Sequence, residues 1–118
     1  MKILLVDDSA TMRKISGMAL KARGYELFEA INGQDALGKL KEGLIPDLFL
    51  VDVNMPVMNG PDFVKAMQQQ ESFKTIPVIF LTTESESGFS EELQNLNVTA
   101  WLNKPYKKDD LYAILDRL

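Results

Sequence analysis

The chain contains no cysteine and no histidine. The first absence excludes disulfides, thiolate nucleophiles and Cys-ligated zinc. The second removes the usual general base, the commonest metal ligand and any Ser-His-Asp arrangement. Chemistry must therefore come from carboxylates, hydroxyls, Lys and Arg. Long hydrophobic runs are also missing. Nothing approaches the ~18 apolar residues of a membrane-spanning helix, and the opening MKILLVDD turns acidic too soon for a secretory signal. Basic residues form no run: the doublet Lys107-Lys108 is followed at once by Asp109-Asp110. With a net charge of -4 and a pI near 4.8, the chain is not built to grip nucleic acid or an anionic membrane. The expected setting is cytoplasmic.

What remains is ordinary in bulk and specific in detail. A length of 118 residues suits one domain with a single core, and 46% hydrophobic with 25% charged residues is typical of globular proteins. No linker, repeat or low-complexity tract divides the chain, so residues 1–118 are expected to form one domain.

Short apolar runs alternate with helical stripes. Strands are expected over 2–6, 25–30, 47–53, 76–81 and 98–102. Between and after them come five helices: 11–23, with Met12, Ile15, Ala19 and Leu20 on one face; 34–40, with Ala36, Leu37 and Leu40; one opened by Pro61, with Phe63, Val64 and Met67; one around 90–96; and a last one bearing Leu111, Ile114, Leu115 and Leu118. Such alternation predicts an α/β fold, a doubly wound five-stranded parallel sheet with helices on both faces. Right-handed crossovers with a switch point favour the flavodoxin-like order 2-1-3-4-5.

That order has a chemical consequence, because ligands in such sheets bind at the carboxyl ends of the strands, beside the switch point. Asp7 and Asp8 end the first strand, Asp52 the third, Thr82 the fourth, and Asn103-Lys104 the fifth. Each has an unremarkable reading alone: a helix cap, a polar strand end, an exposed loop lysine. Together they form one rim. Two carboxylates about 4 Å apart repel by roughly 1 kcal/mol in water and roughly 4 kcal/mol at an effective dielectric of 20. Three need a cation. Lys104 supplies one charge, and an all-oxygen site with few protein ligands suits Mg²⁺. A metal, a lysine and an unprotected carboxylate make a site where a phosphoryl group can be attacked in line.

The blocks DDS, DVNMPVMNG, LTT and NKPY, at this spacing and over nearly the whole chain, resemble the receiver domain of two-component response regulators, most closely the single-domain chemotaxis-type group. The resemblance implies a phosphoacceptor signalling domain rather than an enzyme acting on other substrates. Asp52 would form the aspartyl phosphate. Asp8 would bind Mg²⁺ directly and Asp7 mainly through water, with Asp52 and the Asn54 backbone carbonyl completing the protein ligands. Lys104 would pair with the phosphoryl oxygens and Thr82 would hydrogen-bond to them, and the Lys104-Pro105 bond would be cis. Thr82 and Trp101 would form the switch, although the family usually has Tyr or Phe where Trp101 stands. Asn54 and Glu84 would tune access of the hydrolytic water, implying a short-lived phosphate. Asn59-Gly60-Pro61 departs from the common Asp-Gly plus apolar residue.

The implied partners are a histidine kinase or histidine phosphotransfer protein as donor, and a target bound through the face made by the helix around 90–96, the fifth strand and the last helix. Glu91, Glu92, Gln94, Lys107, Lys108 and Asp109 lie on that face. The protein is expected to be a monomer with no nucleic-acid or membrane partner. Three rivals stand beside this reading. An aspartate-nucleophile phosphatase should carry an acid at position 54 and a cap domain. A flavodoxin-like cofactor binder should offer a phosphate loop rich in Ser, Thr and Gly rather than DDS. A degenerate receiver should lack part of the acceptor site. A receiver excised from a longer regulator would have the same sequence features.

Overall fold

Each expected strand forms, and the acidic rim follows from how the strands are ordered. The computed structural model describes residues 1–83 and 96–118. Its elements are β1 (Lys2–Val6), α1 (Ala10–Ala22), β2 (Glu26–Ala30), α2 (Gly33–Lys41), β3 (Leu48–Asp52), α3 (Gly60–Met67), β4 (Val78–Thr82), β5 (Ala100–Asn103) and a last helix, α4 (Lys108–Asp116). The helix expected around 90–96 lies, apart from Leu96, outside the described residues, as do Glu84, Glu91, Glu92 and Gln94.

The strands form one sheet in the order β2-β1-β3-β4-β5, every described pair parallel. This is the order expected from the switch-point rule. Side chains alternate between the two faces of each strand. Leu4, Val6, Phe49, Val51, Val78 and Phe80 pack toward Ala36 and Leu40 of α2 and Phe63, Val64 and Met67 of α3. Ile3, Leu5, Leu48, Leu50, Ile79 and Leu81 face the other way, against Leu20 of α1 and Leu111, Ile114 and Leu115 of α4. β1, β3 and β4 are buried on both faces, which is why they read as continuous apolar runs.

Helix starts are set by local chemistry. Ser9, Asn32 and Asn59 each accept a hydrogen bond from the backbone N–H three residues on, capping α1, α2 and α3. Pro61 sits in the first turn of α3. At α4 the Asp110 carboxylate accepts from the Lys107 N–H, the reciprocal half of a capping box.

Two expected stripes need correction. In α1 the buried residues are Ser16, Gly17 and Leu20, whereas Ile15 is 52% exposed. The helix is turned so that its small residues face the sheet; a Cβ on Gly17 would sit 2.9 Å from Leu27 Cδ2. In α4 the stripe holds for Leu111, Ile114 and Leu115, but Leu118 lies past the helix end and is exposed.

Candidate functional site

β1 and β3 are neighbours, so the turn after β1 meets the end of β3. Ser9, not either aspartate, caps α1, which leaves both carboxylates for other work. Asp7 is fully buried, Asp8 exposed and Asp52 nearly buried. One oxygen from each lies within 4.8 Å of the others. At that separation each ionised pair repels by about 3 kcal/mol at an effective dielectric of 20. The donors are all hard oxygens, and the exposed Asp8 leaves an open side. This set fits a small divalent cation that keeps several waters.

Lys104 reaches the cluster from the end of β5. Its Nζ donates to Asp7 Oδ2 at 2.6 Å and lies 3.4 Å from Asp52 Oδ2. Its backbone N–H donates to the Thr82 carbonyl at 2.6 Å, and the Lys104-Pro105 bond is cis, as the resemblance implied. Burial opposes the lysine's charge, but the Asp7 and Asp52 carboxylates outweigh it and hold the pKa above its ordinary value. Burial is also the main influence on Asp52, with Asp7 adding to it. Lys104 and the Asn54 N–H act the other way, and the net result is a carboxyl raised to about 6. The lysine thus offsets only part of the cost of keeping Asp52 charged.

Every polar atom of Asp7 is engaged. Its N–H donates to the Ala30 carbonyl, its own carbonyl accepts from Arg13 Nη1 at 2.7 Å, and Oδ1 accepts from the Ser9 N–H. Arg13 also pairs with Glu29 at 3.7 Å, joining α1 to β2. The sequence reading missed Arg13. Its only signal was a basic residue in a first helical turn, where the dipole does not favour one.

The remaining expected residues fall around this centre. Thr82 is fully buried at the end of β4 and pairs in register with Asn103. Asn54 is exposed in the turn after β3, and its N–H donates to Asp52 Oδ1 at 3.3 Å. Trp101 is half-buried and tilts against Phe80 with ring centroids 5.0 Å apart. In the loop after Asp52, the Met58 N–H donates to the Pro56 carbonyl at 2.7 Å, a γ-turn that places Val57 at φ 69°. The Gly33 N–H donates to the Met58 carbonyl and ties that loop to α2.

Comparison with known proteins agrees with this arrangement. The family model described as "Response regulator receiver domain" matches residues 3–116. Chemotaxis protein CheY1 of Helicobacter pylori is 39% identical over 107 residues, spanning 90% of this chain and 86% of that one. The solved structure of the chemotaxis response regulator CheY4 of Vibrio cholerae has a TM-score of 0.90 at 39% identity, covering 98% of this chain and 96% of that one. The receiver domain of the sensor histidine kinase PA1611 from Pseudomonas aeruginosa PAO1, solved with a magnesium ion coordinated in its active-site cleft, has a TM-score of 0.88 at 28% identity over 98% and 94% of the two chains. A parallel sheet ending in clustered aspartates and a lysine, matched over almost its full length, places this chain in the response regulator receiver domain family of two-component signalling, whose members accept a phosphoryl group on an aspartate.

Proposed function

We propose that Asp52 is the phosphoacceptor, taking its phosphoryl group from the phosphohistidine of a histidine kinase or histidine phosphotransfer protein. The observation that carries this reading is the position of the Asp52 carboxylate, at the end of a buried strand between two acids and a lysine. An Asp52 oxygen attacks phosphorus as the donor's P–N bond breaks, and the electron pair leaves with the imidazole nitrogen. Asp8, Asp7, Asp52 and the Asn54 carbonyl would hold Mg²⁺, the ion named in the cleft of the PA1611 receiver. When bound, the cation would neutralise charge on the phosphoryl oxygens.

Lys104 meets those oxygens from the opposite side, exchanging its contact with Asp52 for one with the phosphoryl group. Thr82 donates its hydroxyl to the same group, and Trp101, packed on Phe80 of β4, carries the change toward the surface. The face including β5 and α4 binds the downstream target. Asn54 and Glu84 govern approach of the hydrolytic water, so the domain turns over only its own phosphate. A monomer spanning residues 1–118 is sufficient for all of this.

The test is intact-mass measurement after brief incubation with acetyl phosphate, with and without Mg²⁺. Wild type gains a single Mg²⁺-dependent phosphoryl adduct and Asp52→Asn gains none. No adduct at any early time point in wild type would make the chain an interaction domain that works without phosphorylation.

A further inference from the structure

Lys104 has to be aimed, and the chain that follows it has an anchor that plays no part in the chemistry described above. Ser16 lies in the middle of α1 and is 1% exposed. A serine inside a helix commonly turns its hydroxyl back to its own backbone. Here the Ser16 hydroxyl instead pairs with the Tyr106 hydroxyl, linking α1 to the loop two residues beyond Lys104. Burying these hydroxyls unpaired would be costly, so the contact selects one placement of the ring.

The surroundings show why that selection matters. Tyr106 lines a cavity of about 430 Å³ between α1 and α4, with Ile15, Met18, Ala19 and Tyr112 among its other walls. On that side the ring meets open space, while its other side packs against the core shared by α1 and α4, so the cavity leaves one face of the ring without packing. Upstream, Lys104 is fixed by its N–H to the Thr82 carbonyl; downstream, only Pro105 separates it from Tyr106. The Tyr106 hydroxyl, its pKa raised by burial, is protonated at neutral pH, and either hydroxyl of the pair can be the donor.

We propose that the Ser16–Tyr106 hydroxyl pair is a latch that positions Lys104, holding the loop after β5 against α1 so that Nζ stays directed at the acidic cluster. Both are positioning residues and neither touches the reacting atoms. The proposal rests on Asp52 being the phosphoacceptor and Lys104 the group that meets the phosphoryl oxygens.

The experiment compares initial rates of Mg²⁺-dependent phosphorylation by acetyl phosphate in wild type, Tyr106→Phe, Ser16→Ala and the double variant. Each is repeated in a Lys104→Ala background. Tyr106→Phe keeps the ring, and thermal melting confirms folding of every variant. Each single substitution is expected to slow phosphorylation about three- to tenfold, and the double variant no further, because both remove one contact. The affinity for Mg²⁺, read from Trp101 fluorescence, stays within about twofold of wild type, since Asp7, Asp8 and Asp52 are untouched. In the Lys104→Ala background the substitutions have no effect.

Rates within about twofold of wild type in either single variant would overturn the latch, as would an equal loss that persists without Lys104. Failure of wild type itself to form an Asp52 adduct would remove the underlying reading, and the latch with it. Those failures are distinguishable, because the first two occur in a protein that phosphorylates normally.

Discussion

Replacing Asp52 by Asn should stabilise the metal-free protein at neutral pH, and the gain should disappear in acid. The Asp52 carboxyl is raised from 3.8 to about 6, chiefly by burial, with Asp7 adding to the effect and Lys104 only partly opposing it. Raising an acid's pKa on folding means that the native state holds a proton which the unfolded chain has already released. Stability from this group is therefore complete below about pH 4 and falls as pH rises to about 6, levelling off above that. The gap between those values corresponds to about 3 kcal/mol. Asp52→Asn has no such loss, so it should exceed wild type by up to about 3 kcal/mol at pH 7.5 and match it near pH 3.5. In a domain of this size that is a melting-temperature difference of roughly 10 °C. Urea unfolding of both proteins across pH 3.5–8 in EDTA reads the difference, and carboxylates remote from Asp52 cancel in the subtraction. Adding Mg²⁺ should recover more stability in wild type than in the variant, because a ligand of the native state stabilises by mass action. A wild type more stable than the variant at pH 7.5 in EDTA, or a difference that ignores pH, would refute the claim that burial and Asp7 outweigh Lys104.

Two backbone positions near the acceptor carry further predictions. Val57 is a β-branched residue at positive φ and is 77% exposed, so Val57→Gly should stabilise by about 0.5–1 kcal/mol, relief of strain exceeding the added unfolded-state entropy. Urea midpoints check this, and a loss of stability would contradict it. At Gly60 a Cβ would collide with the Asp52 carbonyl oxygen, a backbone atom that cannot step aside. Gly60→Ala should cost about 2–3 kcal/mol and slow acetyl-phosphate labelling of Asp52, whereas wild-type stability in that variant would show that α3 can shift freely.

Apolar runs alternating with helical stripes were enough to read the strands and the chemical content of their rim. The strands that are buried on both faces read as unbroken apolar runs, and each polar residue that interrupts them marks a carboxyl end. Crossover handedness favoured the strand order, and that order, as formed, brings Asp7, Asp8, Asp52, Thr82 and Lys104 to one edge. Tertiary structure decided how those groups pair. Lys104 contacts Asp7 more closely than Asp52, a choice set by where the loop after β5 lies and by the depth at which Asp7 is held. Arg13 finds the Asp7 carbonyl, and Ser16 finds Tyr106, across 90 residues of chain. Hydrophobic periodicity could not find those partners, because it ranks side chains by polarity. The close approach of α1 to β2 is ruled by size and favours Gly17, with Ser16 buried beside it and Ile15 turned outward. Which face of an amphipathic helix meets a sheet depends on the room beneath it, and that room exists only once the sheet has formed.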